Sequence, residues 1–408
     1  MSNAIPWSRS RIFRDESKLD VDYVPKSLPH REDQIKLLRD YFKPFIANPG
    51  SIFVKVILLG DVGSGKTVVA KKFGLSVNGL KTKGGALIKF SYVNCHAHRS
   101  FFSILQKIGR DLGLSVPRRG YSREELLYML WSHLKGANEY LIVTIDEADF
   151  LAKGGESDTL YNLSRLTEVV GDVVHRIGVI FVFRELELTL DRSIWSTLQH
   201  NLIRFYPYTC QQLVEILWLR ITEEGAIYEN AVSDEVIDMI GELVGHDKGG
   251  RGDARLAIEL LHRAGKYAEG EGREEILPED VRRAYSDIIP LPKDSLVNLR
   301  LEEKLLLLAL TRLLQRKKFV SKIPIGLLEM EYQEVCEEYG VPPKRHTTVW
   351  EYVRKLSGMG VITAERSGRG QRGRTTLVGL SVIPLQTLEK ELIKMLREDL
   401  KRGGNVRE

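Results

Sequence analysis

Short apolar runs and helical stripes alternate through the first half of the chain. Phe53-Val54-Lys55-Val56-Ile57-Leu58-Leu59 is a β-branched run ending at Gly60, the pattern of a buried strand. Comparable runs occur at Leu87–Val93, Tyr140–Ile145 and Gly178–Phe183. Helical spacing lies before and between them: Ile35, Leu38 and Phe42 within Arg31–Phe45, then Thr67–Leu75, Phe101–Leu112, Ser122–Leu134 and Leu160–Val170. Strands alternating with helices predict a parallel sheet with flanking helices, an α/β domain placed at 20–207.

The pattern then changes twice. Gln211–Glu224, Ser233–Leu243, Asp253–Ala268 and Pro278–Ser286 predict a small α-helical domain at 208–292, closed by the proline-rich Ile289-Pro290-Leu291-Pro292. Three helices follow at Glu302–Leu314, Leu327–Tyr339 and Thr347–Met359, with Val349, Tyr352 or Val353, Leu356 and Met359 as the buried stripe of the third. Strands at Val361–Ala364 and Thr375–Leu380 and a closing helix at Thr387–Leu400 complete a domain at 293–402. Three helices and a hairpin form the order of a winged helix-turn-helix. Residues 1–19 are polar and basic and are expected to form a loose arm.

Charge adds a location. The 408 residues carry a net charge of +5. Residues 295–408 hold 21 Lys+Arg against 14 Asp+Glu, a net of +7, which leaves −2 for the remainder. Such asymmetry points to a polyanion-binding module at the end of the chain. Cys95, Cys210 and Cys336 are far apart and read as reduced thiols. No apolar run reaches the length of a membrane span and no signal peptide is read, so a cytoplasmic, nucleoid-associated protein without membrane partners is expected.

The chemistry is most specific at Gly60-Asp61-Val62-Gly63-Ser64-Gly65-Lys66-Thr67, a complete GxxxxGK[ST] loop between an apolar strand and a helical pattern. Glycines let backbone N–H groups converge on phosphate oxygens, and the helix N-terminus adds its positive end. The expected nucleotide contacts run from Gly60 through Val62, Gly63, Ser64, Gly65, Lys66 and Thr67 to Val68. Leu141-Ile142-Val143-Thr144-Ile145-Asp146-Glu147 supplies the partner strand. Asp146 and Thr67 are candidate Mg²⁺ ligands, and Glu147 is placed to orient or deprotonate a water. ATP or ADP with Mg²⁺ is the expected cofactor set.

Together with Asp146-Glu147-Ala148-Asp149, the small helical domain and the terminal winged-helix pattern, this loop resembles the AAA+ ATPases of the archaeal origin-recognition (ORC/Cdc) type, replication initiators. The resemblance runs from about Ile12 to about Leu400 and makes the helical domain a lid. It implies that His30 and Arg31, in Leu28-Pro29-His30-Arg31-Glu32, line an adenine pocket. It implies that Tyr208 and Arg220 contact nucleotide at the start of the lid, and that Arg255, in Gly252-Asp253-Ala254-Arg255, reaches the terminal phosphate as a second sensor. Two departures stand out. The strand Val179–Phe183 runs into Arg184-Glu185 where the family usually has a small polar sensor, and Ser196-Thr197-Leu198 stands where eukaryotic relatives carry Ser-Arg. Both imply a slow ATPase, a nucleotide-held switch, because such groups position water or stabilise the transition state.

For DNA, the approach to the third terminal helix offers Lys344, Arg345, Thr347 and Thr348, and the wing offers Arg366, Arg369, Arg372 and Arg374 among glycines. Arg118, Arg119 and Tyr121, on a Pro/Gly loop, resemble the initiator-specific insertion that contacts origin DNA. The expected partners are origin duplex DNA, the replicative helicase and paralogous initiators. Two other readings share these motifs: a winged-helix transcription regulator with a nucleotide-sensing domain, and a clamp-loader-like ATPase.

Overall fold

The computed structural model describes residues 10–116, 120–153, 157–164, 166, 174–184, 201–288, 299–366, 375–380 and 383–404. Packing divides the chain into two units, one formed by Asp22–Gln212 with Arg251–Ala254, the other by the rest. Among the described residues, no helix is long and apolar enough to cross a membrane.

The first unit is a five-stranded parallel sheet. Its strands are β1 (Lys55–Gly60), β2 (Leu87–Asn94), β3 (Glu139–Asp146), β4 (Ile177–Phe183) and β5 (Leu202–Phe205), in the order β2-β3-β4-β1-β5. Buried on both faces, β3 and β4 are nearly continuous apolar runs. Its helices are α1 (Glu32–Ala47), α2 (Lys66–Val77), α3 (Phe101–Asp111), α4 (Arg123–Gly136), α5 (Asp149–Lys153) and α6 (Ser157–Ser164). Leu38, Phe42 and Phe45 of α1 and Val69, Ala70 and Phe73 of α2 pack one sheet face, and α3 and α4 cover the other. Strand β5 went unpredicted. Leu202-Ile203-Arg204-Phe205 is too short to show a period, and only its pairing with Ile57–Gly60 defines it.

The second unit holds the helical domain and the winged helix. The former comprises α7 (Cys210–Thr222, entering from the first unit), α8 (Asp234–Val244), α9 (Ala254–Gly270) and α10 (Pro278–Ile288). The latter comprises α11 (Leu301–Arg316), β6 (Lys322–Pro324), α12 (Ile325–Glu338), α13 (His346–Gly358), β7 (Ile362–Arg366), β8 (Thr376–Leu380) and α14 (Leu385–Gly404). Its antiparallel sheet has the order β6-β8-β7, so a third strand joins the predicted hairpin. Met359, expected in the buried stripe, lies past the end of α13 and is 39% exposed, whereas Val349, Tyr352, Val353 and Leu356 are buried.

One other feature departs from the sequence reading. Residues 10–19 do not form a loose arm: Ile12, Phe13 and Leu19 are buried, and Phe13 bridges to Ile227. Glu16 pairs with His262 and Lys266 of α9, and a Cβ on Gly265 would fall 2.5 Å from the Phe13 ring, so that glycine makes room for it. The helical domain and the winged helix are also joined through polar contacts. Glu235 accepts from Ser321 N–H at 2.7 Å, Lys322 lies 2.5 Å from Glu242 and 2.9 Å from Glu365, and Lys248 lies 3.1 Å from Glu365. Glu279 accepts from Leu385 N–H at 2.8 Å.

Candidate nucleotide site and nucleic-acid interface

The phosphate loop leaves β1 at Gly60 and enters α2 at Lys66, with Gly63 at φ +71° and Gly65 at φ +92°. At Gly63 glycine is required twice over. The backbone is left-handed, and a Cβ would lie 1.7 Å from Asp253 Oδ1. Ala254 N–H donates to Gly63 O at 3.2 Å, so Arg251–Ala254 closes one side of the loop. The first N–H groups of α2 have no acceptor within the helix and are available to an anion.

Arg31 holds the other side. Only 4% exposed, it donates from Nε to Ser64 O (2.9 Å), from Nη1 to His30 O (2.7 Å) and from Nη2 to Tyr206 O (2.8 Å). Its guanidinium lies 3.8 Å from the Tyr208 ring centroid. Burial pushes the Arg31 guanidinium below its ordinary value and the Tyr208 phenol above its own. Tyr208 N–H donates to Gly252 O at 3.0 Å, which ties this wall to the first. His30 adopts φ +63° at the start of α1.

Lys66 Nζ donates to Gly60 O and Asp61 O, each at 2.6 Å, so the ammonium is held within its own loop. Thr67 Oγ1 donates to Asp146 Oδ2 at 2.8 Å, which brings the two candidate metal ligands together. Tyr92 OH donates to the same oxygen at 2.6 Å, and Glu147 N–H donates to Asp146 Oδ1 at 2.8 Å. Burial, followed by the Asp146 charge, pushes the Tyr92 phenol far above its ordinary value, so it remains a donor. The hard oxygens of Thr67 and Asp146 suit Mg²⁺, which keeps several waters and takes one or two protein ligands beside phosphate. Among the described residues, no group of three His, Cys, Asp or Glu could hold a metal by itself.

Tyr92 escaped sequence reading because only the β2–β3 register, Tyr92 opposite Thr144, carries it to Asp146. Arg184 was noted as a departure, and its partner emerges in the fold: Nη2 donates to Glu147 Oε1 at 2.8 Å. Arg220 and Arg255 belong to the second unit. Arg220 is buried and donates to Lys18 O at 2.7 Å, and Arg255 is exposed in the first turn of α9.

In the winged helix, Arg345 precedes α13 and is exposed, as are His346 and Thr347, while Lys344 and Thr348 are half-buried. Several nearby cations already have partners. Lys344 lies 3.2 Å from Glu302, Lys355 2.8 Å from the buried Glu303, and His346 contacts Glu329. Arg366 is exposed at the end of β7. Arg369, Arg372 and Arg374 lie outside the described residues, as do Arg118 and Arg119, and Tyr121 is 46% exposed ahead of α4.

Comparison with known proteins accounts for all three regions. An AAA domain matches residues 55–189, the Cdc6 AAA+ ATPase-type lid domain matches 214–286, and the CDC6 C-terminal winged helix domain matches 294–390. ORC1-type DNA replication protein 2 of Sulfurisphaera tokodaii is 38% identical over 401 residues, 97% of this chain and 96% of that protein. The crystal structure of Cdc6p from Pyrobaculum aerophilum aligns with a TM-score of 0.82 at 34% identity, covering 95% of this chain and 100% of that one. Two Aeropyrum pernix structures also align. They are the ORC2 protein in ADPNP-ADP complexes (TM-score 0.61, 25% identity, 96% of this chain and 100% of that one) and the ORC1 protein in complex with DNA (TM-score 0.60, 27% identity, 96% and 98%). With its AAA+ core, helical lid and terminal winged helix, the chain belongs to the ORC1/Cdc6-type DNA replication proteins.

Proposed function

We propose that this chain is an ATP-dependent initiator that grips origin duplex DNA and helps to recruit the replicative helicase beside paralogous initiators, with slow hydrolysis acting as its switch. The observation that carries the nucleotide part is the convergence of Thr67 on Asp146 at the P-loop. The aligned ORC2 protein is in ADPNP-ADP complexes, which supports the nucleotide part, and the aligned ORC1 protein is in complex with DNA, which supports the DNA part.

In this reading Lys66 exchanges its loop carbonyls for phosphate oxygens, and the α2 N-terminus receives the remaining charge. Thr67 and Asp146 would hold Mg²⁺, which when bound neutralises charge on the phosphates. Glu147 orients the attacking water. His30, Arg31 and Tyr208 shape the base-binding side, with Arg31 acting through the loop carbonyls it holds. Arg345, Thr347, Thr348 and Arg366 face duplex DNA.

The test is origin affinity and footprint in ATP, ADP and nucleotide-free forms. The proposal expects the forms to differ, and Lys66→Ala to abolish nucleotide binding while leaving DNA affinity measurable. Identical affinity and footprint in all three forms would remove the switch.

A further inference from the structure

Strand β4 lies between β1 and β3, so the residue after Phe183 emerges between the phosphate loop and the Asp146–Glu147 pair. That residue is Arg184. Its backbone N–H donates to Oδ2 of the buried Asp149 at 2.9 Å, and its Nη2 reaches Glu147 Oε1 at 2.8 Å. Glu147 is fixed from its own side. It adopts φ +54°, a left-handed conformation that is strained for a non-glycine residue and persists where surrounding contacts over-determine it. Those contacts are Glu147 N–H to Asp146 Oδ1 at 2.8 Å and Ala148 N–H to Val182 O at 3.0 Å. The pair therefore joins two strand ends 37 positions apart, each anchored through backbone. It differs in kind from the helical Lys107–Asp111 pair, whose members lie one turn apart.

We propose that Arg184 is a positioning residue that restrains Glu147 and thereby slows hydrolysis. The inference rests on the reading of Glu147 as the group that orients and deprotonates the attacking water. In that step water oxygen bonds to the terminal phosphorus, the P–O bond to ADP breaks, and a water proton passes to a Glu147 carboxylate oxygen. While Nη2 donates to Oε1, one oxygen of the carboxylate is committed to a charge-assisted bond. The bond fixes the orientation of the carboxylate, so turning its other oxygen toward the water requires the pair to shift or part. A small neutral side chain at 184 would impose no such charge-assisted restraint.

The experiment uses the full chain with Arg184→Ala and Arg184→Lys, each alone and combined with Glu147→Gln. A fluorescent ATP analogue gives nucleotide Kd, and single-turnover hydrolysis of Mg-ATP gives the rate. Arg184→Ala is expected to hydrolyse about tenfold faster than the parent with Kd unchanged, as loss of one charge-assisted bond implies. Arg184→Lys keeps a cation and should stay within about threefold of the parent. In the Glu147→Gln background Arg184→Ala should give no acceleration. A rate for Arg184→Ala equal to or below the parent overturns the inference, as does equal acceleration without the Glu147 carboxylate. Failure of the parent chain to bind nucleotide, or hydrolysis indifferent to Glu147→Gln alone, overturns the underlying reading instead. Arg184 is 45% exposed in its side chain, and melting midpoints of all variants identify any that fail to fold.

Discussion

Thr67 Oγ1 lies 2.8 Å from Asp146 Oδ2, across 79 positions of sequence. A helix N-terminus and the C-terminal end of a strand are thereby locked together on a pair of oxygens that a hard cation can use. Thr67→Val removes the hydroxyl and keeps the shape. It should cut the Mg²⁺-dependent gain in ATP affinity by about tenfold, with a smaller effect on metal-free ADP. Calorimetry with Mg²⁺ and with chelator measures both, and an unchanged Mg²⁺ gain would remove Thr67 from the metal site.

Gly63→Ala sets a side chain on a left-handed backbone and against Asp253. Conformational strain and displacement of Arg251–Ala254 should together cost about 2–3 kcal/mol. Nucleotide binding should be lost as the loop shifts. Denaturant unfolding and nucleotide titration read the two effects, and full-affinity binding at unchanged stability would contradict the described packing.

The cluster of Lys322, Glu242, Glu365 and Lys248 joins the lid to the winged helix. At Glu365 partial burial raises the carboxyl, but hydrogen bonds from Lys322 and Lys248 outweigh it and leave the group below its ordinary 4.5. At Lys322 burial lowers the ammonium, but Glu242 and Glu365 outweigh it and leave the group above 10.5. A depressed carboxylate contributes stability above its unfolded value and loses it as pH falls through the folded one. A raised lysine contributes below its unfolded value and loses it as pH rises through the folded one. The Glu365–Lys322 contribution is therefore at its full value on the neutral plateau, well above 4.5 and well below 10.5. Glu365→Gln should lower stability at pH 7 by less than about 1 kcal/mol, since the side chain is partly exposed. The difference from the parent should shrink as pH falls from 4.5 through the depressed value. Urea midpoints across pH give the comparison, and a difference independent of pH would refute the charge argument.

Arg345 is exposed at the start of α13, and the nearby Lys344 and Lys355 are engaged by Glu302 and Glu303. Arg345→Ala should weaken duplex binding and reduce the slope of log K against log salt by about 1. Binding isotherms at four or more salt concentrations give that slope. An unaltered slope with unaltered affinity would move the DNA surface elsewhere.

Much of this was readable because the signals were long or chemically distinctive. Strands buried on both faces announced themselves as apolar runs, and the P-loop needs its glycines whatever surrounds it. The parts that escaped depend on pairing between distant segments. Leu202–Phe205 is a strand because β1 offers it an edge, and Lys322–Pro324 because β8 does. Tyr92 meets Asp146 through strand register, and Arg31 turns out to brace Ser64 and Tyr206 through their carbonyls. The basic character of residues 1–19 suggested a loose arm, but Ile12, Phe13 and Leu19 are apolar residues that find a buried place.

The proposed function combines a Mg-nucleotide site with selective recognition of replication-origin DNA. Its most direct test is sequencing of the fragments that the purified full chain retains from its own genome in the presence of Mg-ATP, with Lys66→Ala in parallel. Enrichment is expected at a small number of loci that coincide with sites where replication starts, with a changed enrichment for Lys66→Ala. Retention spread evenly over the genome, or concentrated at promoters away from those sites, would contradict it.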